Sequence, residues 1–302
     1  MSQFISLTFL SETIRLSIPY VCAALAGVWS ERCGVVNIAL EGVLLTGALG
    51  TVTITLATGS PVAGLIGGMS AGVLLCMLHG VLAAKFRIDA IVSGIALNIL
   101  ALSGAKLVLS ALYDSTTNSP AIPGFMIGAT GASGAAMLLR TMVDPAVVLT
   151  VIAVVLSPLV LKRTRFGLRV RGVGENPVAA ASVGINVVKV RLQALCVAGL
   201  IGALGGIHLA FDQHRFESGM SGGRGFIALA VVILSGWRPV RAALACLVFA
   251  GLEATQIMLQ GERWVPTEVF QILPYAVTLI VLAFAAGRAR APAGLGKHAG
   301  DD

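Results

Sequence analysis

The chain has 302 residues, 57% of them hydrophobic and only 12% charged, with a formal net charge of +7. A soluble domain carries about 25% charged residues, and a soluble fold of this length has no interior that could hide so much apolar side chain. Continuous rather than alternating apolar runs exclude a β-barrel and leave an all-α, polytopic transmembrane bundle.

Apolar runs predict spans near 8–28, 34–58, 61–84, 90–112, 144–161, 191–211, 226–236, 239–259 and 268–287. The expectation is about nine to ten spans, some broken or re-entrant, because a full crossing takes about 20 residues and 226–236 is short. Between the first two runs lies ERCGVVNIALEG, residues 31–42, which sets Glu31, Arg32, Asn37 and Glu41 among residues that otherwise belong in hydrocarbon. Polar groups at membrane depth are costly and mark a functional surface, a pathway or an interface. Asn37 and Glu41 are four apart and share a face if that stretch is helical. They either line a path or pair with a neighbouring helix.

Gly64, Gly68 and Gly72, and again Gly202 and Gly206, have the spacing that lets helices approach closely in lipid. In the fourth run, SGIALN offers Ser93 and Asn98 either to a polar solute or to a neighbouring backbone. The 113–143 stretch, rich in Gly, Ser, Thr and Pro, reads as an external loop. A basic loop follows at 162–190. Within it, in GVGENPVAAASVGIN, Asn176 is a good N-cap, Pro177 suits a first helical turn, and Gly184 can end the short helix in the left-handed conformation. Such a capped helix is either a docking element or a loop packed on its own bundle. Further on, Trp237 and Arg238 read as interfacial anchors. Glu253 and Gln256 share a face and read as an interhelical or subunit contact.

The basic loops all fall on one side if the runs cross alternately, and that side is cytoplasmic, as is the C-terminus. Nine full spans put the N-terminus outside; a re-entrant piece around 29–45 puts it inside. Residues 1–290 are expected to form one membrane domain, with 291–302 a flexible cytoplasmic tail. The basic residues are dispersed without interleaved aromatics, which argues against nucleic acid. The five cysteines and four histidines form no ligand set, so no metal or cofactor is expected. No GxxxxGK[ST] occurs, so the chain carries no phosphate-cradling loop of that kind, and no catalytic constellation points to an enzyme.

Three segments occur in register: ERCGVVNIALEG, GENPVAAASVGIN, and LSGWRP at 234–239. Together they resemble permease subunits of ABC importers in the branched-chain amino acid, ribose and nucleoside group, and are most similar to the shorter permease of nucleoside-type systems. Cys33 departs from the pattern, where a small residue such as Ser is expected. The resemblance implies that the 175–184 helix is a coupling helix seated in an ATP-binding subunit, with Arg169, Arg171, Glu175 and Asn176 as polar contacts and Pro177 and Gly184 shaping it. It implies a broken helix at GVVNIALEG beside the translocation path, with Asn37, Glu41, Ser93 and Asn98 along that path. The implied partners are a second permease in a heterodimer, ATP-binding cassette subunits and an extracytoplasmic binding protein, in a bacterial inner membrane, with nucleosides or a related sugar-containing solute as cargo. The competing reading is an ion-coupled secondary transporter, for which Glu41 and Glu253 would be suitable carboxylates, although no repeat is evident.

Overall fold

The computed structural model describes residues 7–125, 134–259 and 290–297, and among these the chain is helical apart from turns and one isolated bridge between Asn118 and Glu217. In chain order the helices are α1 (Leu7–Arg32), α2 (Leu40–Thr58), α3 (Pro61–Gly80, continued by a π turn over Val81–Lys85), α4 (Ala90–Tyr113), α5 (Gly134–Val143), α6 (Pro145–Arg163), α7 (Arg165–Glu175), α8 (Pro177–Ser182), α9 (Val187–Asp212), α10 (Arg224–Leu234) and α11 (Pro239–Leu259). Seven of these, α1, α2, α3, α4, α6, α9 and α11, are long and apolar enough to cross a bilayer. The expected span 268–287 and the loop before it lie outside the described residues.

Burial separates centre from periphery. The most apolar window of α9 is 83% buried, whereas that of α4 is 22% buried. The centre is built on small residues. A Cβ on Gly206 would run into the Leu44 carbonyl and the Ala48 nitrogen of α2, and one on Gly72 of α3 would meet Ala203 and the Gly199 carbonyl of α9. In lipid, where apolar side chains gain nothing by leaving the solvent, such close backbone approach supplies the packing energy. Aromatic packing joins α1 to the periphery. Trp29 donates its indole N–H to Ser157 of α6 at 3.0 Å and stacks on Phe166 of α7 with centroids 6.0 Å apart.

Two elements are interrupted. Residues 33–39 are non-helical, so α2 begins only at Leu40. With 11 residues, α10 is about 16 Å long, roughly half a crossing. Helix α1 continues to Arg32 and α9 starts at Val187, each four residues beyond the apolar run that signals it. The extra turn of α1 carries Glu31 and Arg32, each with a specific partner, and that of α9 is started by Asn186, which accepts from the Lys189 N–H.

Candidate functional site

The interruption between α1 and α2 is a complete hydrogen-bonding problem, because a bare backbone inside a membrane bundle has no water to satisfy it. Helix α1 ends with Gly34 at φ +88°, its N–H on the Glu31 carbonyl (3.0 Å) and the Val35 N–H on the Ser30 carbonyl (3.1 Å), which is a Schellman closure. Beyond it, side chains from other helices take over. His79 of α3 donates from Nε2 to the Val36 carbonyl at 2.9 Å, while its Nδ1 meets the Ser93 hydroxyl of α4 at 3.0 Å. Asn98 of α4 donates to the Ile38 carbonyl and accepts from the Gly42 N–H, both at 2.8 Å. Asn37 accepts the Ala39 N–H at 3.1 Å, and its amide nitrogen is buried against the Cys76 thiol.

Glu41 lies one residue inside α2 and meets the N-terminus of α10. One carboxylate oxygen accepts from the Ser221 hydroxyl (2.5 Å) and the Gly223 N–H (2.8 Å), and the other accepts from the Gly225 N–H (2.7 Å). A carboxylate there satisfies orphan amides and opposes the positive end of the helix dipole. Gly225 has no room for a side chain, since a Cβ would strike the Glu41 backbone. The preceding residue, Arg224, pairs with Glu253 of α11 at 2.6 Å and lies over the Tyr20 ring of α1. A half-length helix is thus pinned at its inner end by two carboxylates from two other helices.

At its other end, α10 closes on Gly236 and leads into Trp237, whose indole N–H donates to Glu31 at 2.5 Å while its carbonyl accepts from Arg32 Nε at 2.9 Å. The end of α1 also touches the basic loop, because Gly174 of α7 packs where a Cβ would hit the Arg32 carbonyl. Residues 290–297 complete this junction. The Gly294 N–H bonds the Gly174 carbonyl (2.9 Å), the Gly296 N–H bonds the Gly34 carbonyl (3.0 Å), and buried Arg191 of α9 bridges the Cys33 and Lys297 carbonyls. The first residues of the expected tail are therefore docked on the junction. The three sequence segments, far apart in the chain, converge on the last turn of α1.

The basic loop itself forms α7 and α8. Thr164 caps α7 through the Gly167 N–H (3.0 Å), and Asn176 caps α8 through the Ala179 N–H (2.9 Å), with Pro177 in the first turn of α8. Gly184, at φ +83°, closes α8 with the Gly184 and Ile185 N–H groups on the Ala181 and Ala180 carbonyls. One side of this hairpin is anchored by buried Val170, Val173 and Ala180. The other is open. Between α7 and α8 runs a groove with Leu168 and Val183 exposed, 63% and 74%, and with Arg165, Arg169 and Asn176 along it.

At the end of the bundle away from the basic loop, a cavity of about 260 Å³ lies among Arg15, Asp144, His208, Asp212 and the edge-packed pair Phe125 and Phe211. Asp144 caps α6 through the Ala146 and Val147 N–H groups. Burial works to raise its pKa, but the neighbouring His208 and these two N–H groups hold it below the usual carboxylate value.

Of the residues singled out as a substrate path, Asn37, Glu41 and Ser93 are buried and Asn98 is half-buried, and all four bond within the chain. The structure brings them together as braces of one chain break. Of the residues singled out for coupling, Arg169, Glu175, Asn176 and Gly184 are exposed, Arg171 is half-buried and Pro177 is buried. His79, Arg191, Ser221 and Arg224 belong to the same junctions and carry no local sequence signal beyond being polar in or beside an apolar run.

The chain matches the family described as branched-chain amino acid transport system / permease component over residues 9–282. It is 34% identical to the guanosine ABC transporter permease protein NupQ of Bacillus subtilis, covering 93% of this chain and 92% of that one. It is 32% identical to the nucleoside ABC transporter permease protein NupC of Lactococcus lactis, covering 91% of each. A second guanosine ABC transporter permease protein of B. subtilis, NupP, is 28% identical over 90% of this chain and 80% of its own length.

Proposed function

The chain belongs to the branched-chain amino acid transport system / permease component family, and from that premise we propose that it carries nucleosides inward as one permease subunit of an ATP-driven importer. The cargo rests on the relatives, two of which are named for guanosine and one for nucleosides. The partner reading has the same origin. Because NupQ and NupP of one organism both match this chain, the expected assembly is a heterodimer of permeases, with ATP-binding cassette subunits beneath it and a binding protein outside. The bundle then counts nine to ten spans, in a bacterial inner membrane, with its C-terminus in the cytoplasm.

The observation that carries the mechanism is the convergence of the α7–α8 hairpin, the 33–39 break and Trp237 on the last turn of α1. We read the open α7–α8 groove as the seat of an ATP-binding subunit. When ATP draws two such subunits together, α7–α8 moves. Its contact through Gly174 passes the movement to the end of α1, and the Trp237 clamp passes it to α10. The inner end of α10 is held by Glu41 and Arg224, so the displacement acts where two interrupted helices meet. The braces Asn37, Ser93 and Asn98 keep the break closed while its surroundings shift. No bond in the cargo is made or broken. An ion-coupled carrier would need carboxylates open to its ion, and here Glu41 accepts three hydrogen bonds while Glu253 is paired with Arg224.

The test is purification of the tagged chain from mild detergent with whatever accompanies it, followed by nucleoside uptake in vesicles. Recovery of a second permease and an ATP-binding subunit, with ATP-dependent uptake, is the expected result. A chain that purifies alone and transports alone would overturn it.

A further inference from the structure

Five cations from four parts of the chain face one cavity of about 530 Å³: Arg32 at the end of α1, Lys162 at the end of α6, Arg171 on α7, and Arg238 and Arg241 around the start of α11. Among the described residues none of the five forms an ion pair. Arg32 has Arg171 and Arg238 as like-charged neighbours and Glu175 as counter-charge. The Arg171 Nε is buried and, among the described residues, has no hydrogen-bond partner. Gathering like charges around a cavity opposes folding, and among the described residues Glu175 is the counter-charge that Arg32 meets. An oxyanion with several acceptor oxygens would offset the repulsion, and guanidinium groups suit phosphate because their N–H forks bind two oxygens at once.

The setting narrows the source of that phosphate. The cavity lies at the ends of three membrane-crossing helices beside buried Trp237, the level at which headgroups lie. Its remaining wall is apolar. Val240 of α11 lines it, and Leu244 and Val248 continue the same helical row, with exposures of 48%, 58% and 63%. Pro158 lines it from α6, and Val155 and Val151 behind it are exposed in the same way. A polar cavity opening onto two apolar helix rows has a place for a headgroup and a place for acyl chains.

We propose that this cavity binds the phosphate of an anionic phospholipid of the cytoplasmic leaflet. Arg171 and Arg32 take the phosphate oxygens, Lys162, Arg238 and Arg241 form the rim, and the lipid ties α1, α6, α7 and α11 together beside the α7–α8 hairpin. The proposal uses the cytoplasmic orientation argued above, but lipid binding is read on this chain itself, so it stands or falls apart from the partner subunits.

The experiment titrates the purified full-length chain, with any partners it retains, with phosphatidylglycerol, phosphatidylcholine and inorganic phosphate in detergent, following thermal unfolding and, by native mass spectrometry, retained lipid. Phosphatidylglycerol should raise the unfolding temperature and remain bound, and phosphatidylcholine should do neither. The combined exchange of Lys162, Arg238 and Arg241 for Gln removes exposed rim charges only, and should weaken phosphatidylglycerol binding on the order of 100-fold. Lys189→Gln, elsewhere on the same side, should change nothing. Equal stabilisation by phosphatidylcholine would overturn the proposal, as would inorganic phosphate matching the lipid, which would assign the site to a soluble anion. So would a triple variant that keeps its lipid but sheds the ATP-binding subunit, which would make these cations a protein contact.

Discussion

The α1–α2 break and the α7–α8 hairpin are both rich in polar residues, yet they treat them in opposite ways. At the break, His79 and Asn98 donate to backbone carbonyls, Ser93 holds the His79 ring, and Glu41 accepts from two backbone N–H groups and the Ser221 hydroxyl, all inside the bundle. At the hairpin, Thr164 and Asn176 cap the helices they begin, while Arg169, Leu168 and Val183 stay exposed. A membrane interior allows no third option: irregular backbone there is bonded by protein or not formed. Polarity in an apolar run can therefore mean bracing, whereas polarity in a capped loop outside the bilayer leaves side chains for a partner. The two regions meet at the last turn of α1, which lets a movement of the second reach the first.

The comparison breaks most sharply at Glu41. Replacing it with Ala leaves the half-buried Gly223 N–H, the buried Gly225 N–H and the Ser221 hydroxyl without this acceptor, at about 1–3 kcal/mol for each group that is orphaned in the interior. That is a large fraction of a typical net stability of about 5–15 kcal/mol. Glu41→Ala should therefore fail to give a monodisperse complex in size-exclusion chromatography, or unfold at a much lower temperature. A variant that assembles and melts like the parent but takes up nucleoside slowly would instead make Glu41 part of the route.

At the hairpin the pattern should invert, with function lost and fold kept. Gly184 sits at φ +83° and its N–H donates to Ala181, so Gly184→Pro removes both the conformation and the donor that close α8. Glu175→Arg reverses the charge beside Arg32. Either variant should abolish uptake and retention of the ATP-binding subunit while the thermal unfolding of the membrane bundle is unchanged. Normal uptake in both would remove α7–α8 from the coupling role.

These contrasts also explain what could be read from the chain alone. The α8 helix was legible because Asn176, Pro177 and Gly184 act on neighbours within a few residues. The break was legible as polar residues in an apolar run, and α10 as a run too short to cross. The end of α1 was misjudged because hydropathy discards charge that a tertiary contact accommodates, as when Arg32 bonds the Trp237 carbonyl, and α9 starts a turn early because Asn186 caps it through the Lys189 N–H. No local pattern tells that Glu41 caps a helix some 180 residues later, or that Arg224 finds Glu253, because periodicity reports which face is apolar and not which face it meets.

Between the two regions, Trp237→Phe should have an intermediate effect. It keeps the ring but deletes the N–H that reaches Glu31, a residue 3% exposed. A hydrogen bond to a charged group contributes about 1.5–3 kcal/mol, so the variant should assemble, melt earlier and couple ATP hydrolysis to uptake less tightly. An unchanged ratio of uptake to hydrolysis would show that movement reaches α10 by another contact.

The smallest effect belongs to Asn176→Ala. Its side chain accepts a single N–H, from Ala179, on an exposed two-turn element, and loss of an N-cap costs about 1 kcal/mol. The bundle has no share in that bond, so its melting should not move. The local cost raises the fraction of chains in which α8 is frayed, which should weaken capture of the ATP-binding subunit by about fivefold, the equivalent of 1 kcal/mol. Asn176→Ser, which restores an acceptor, should recover most of it. If Ala and Ser variants bind alike, the side chain contributes by touching the partner rather than by capping, and the hairpin's polar residues divide differently from those of the break.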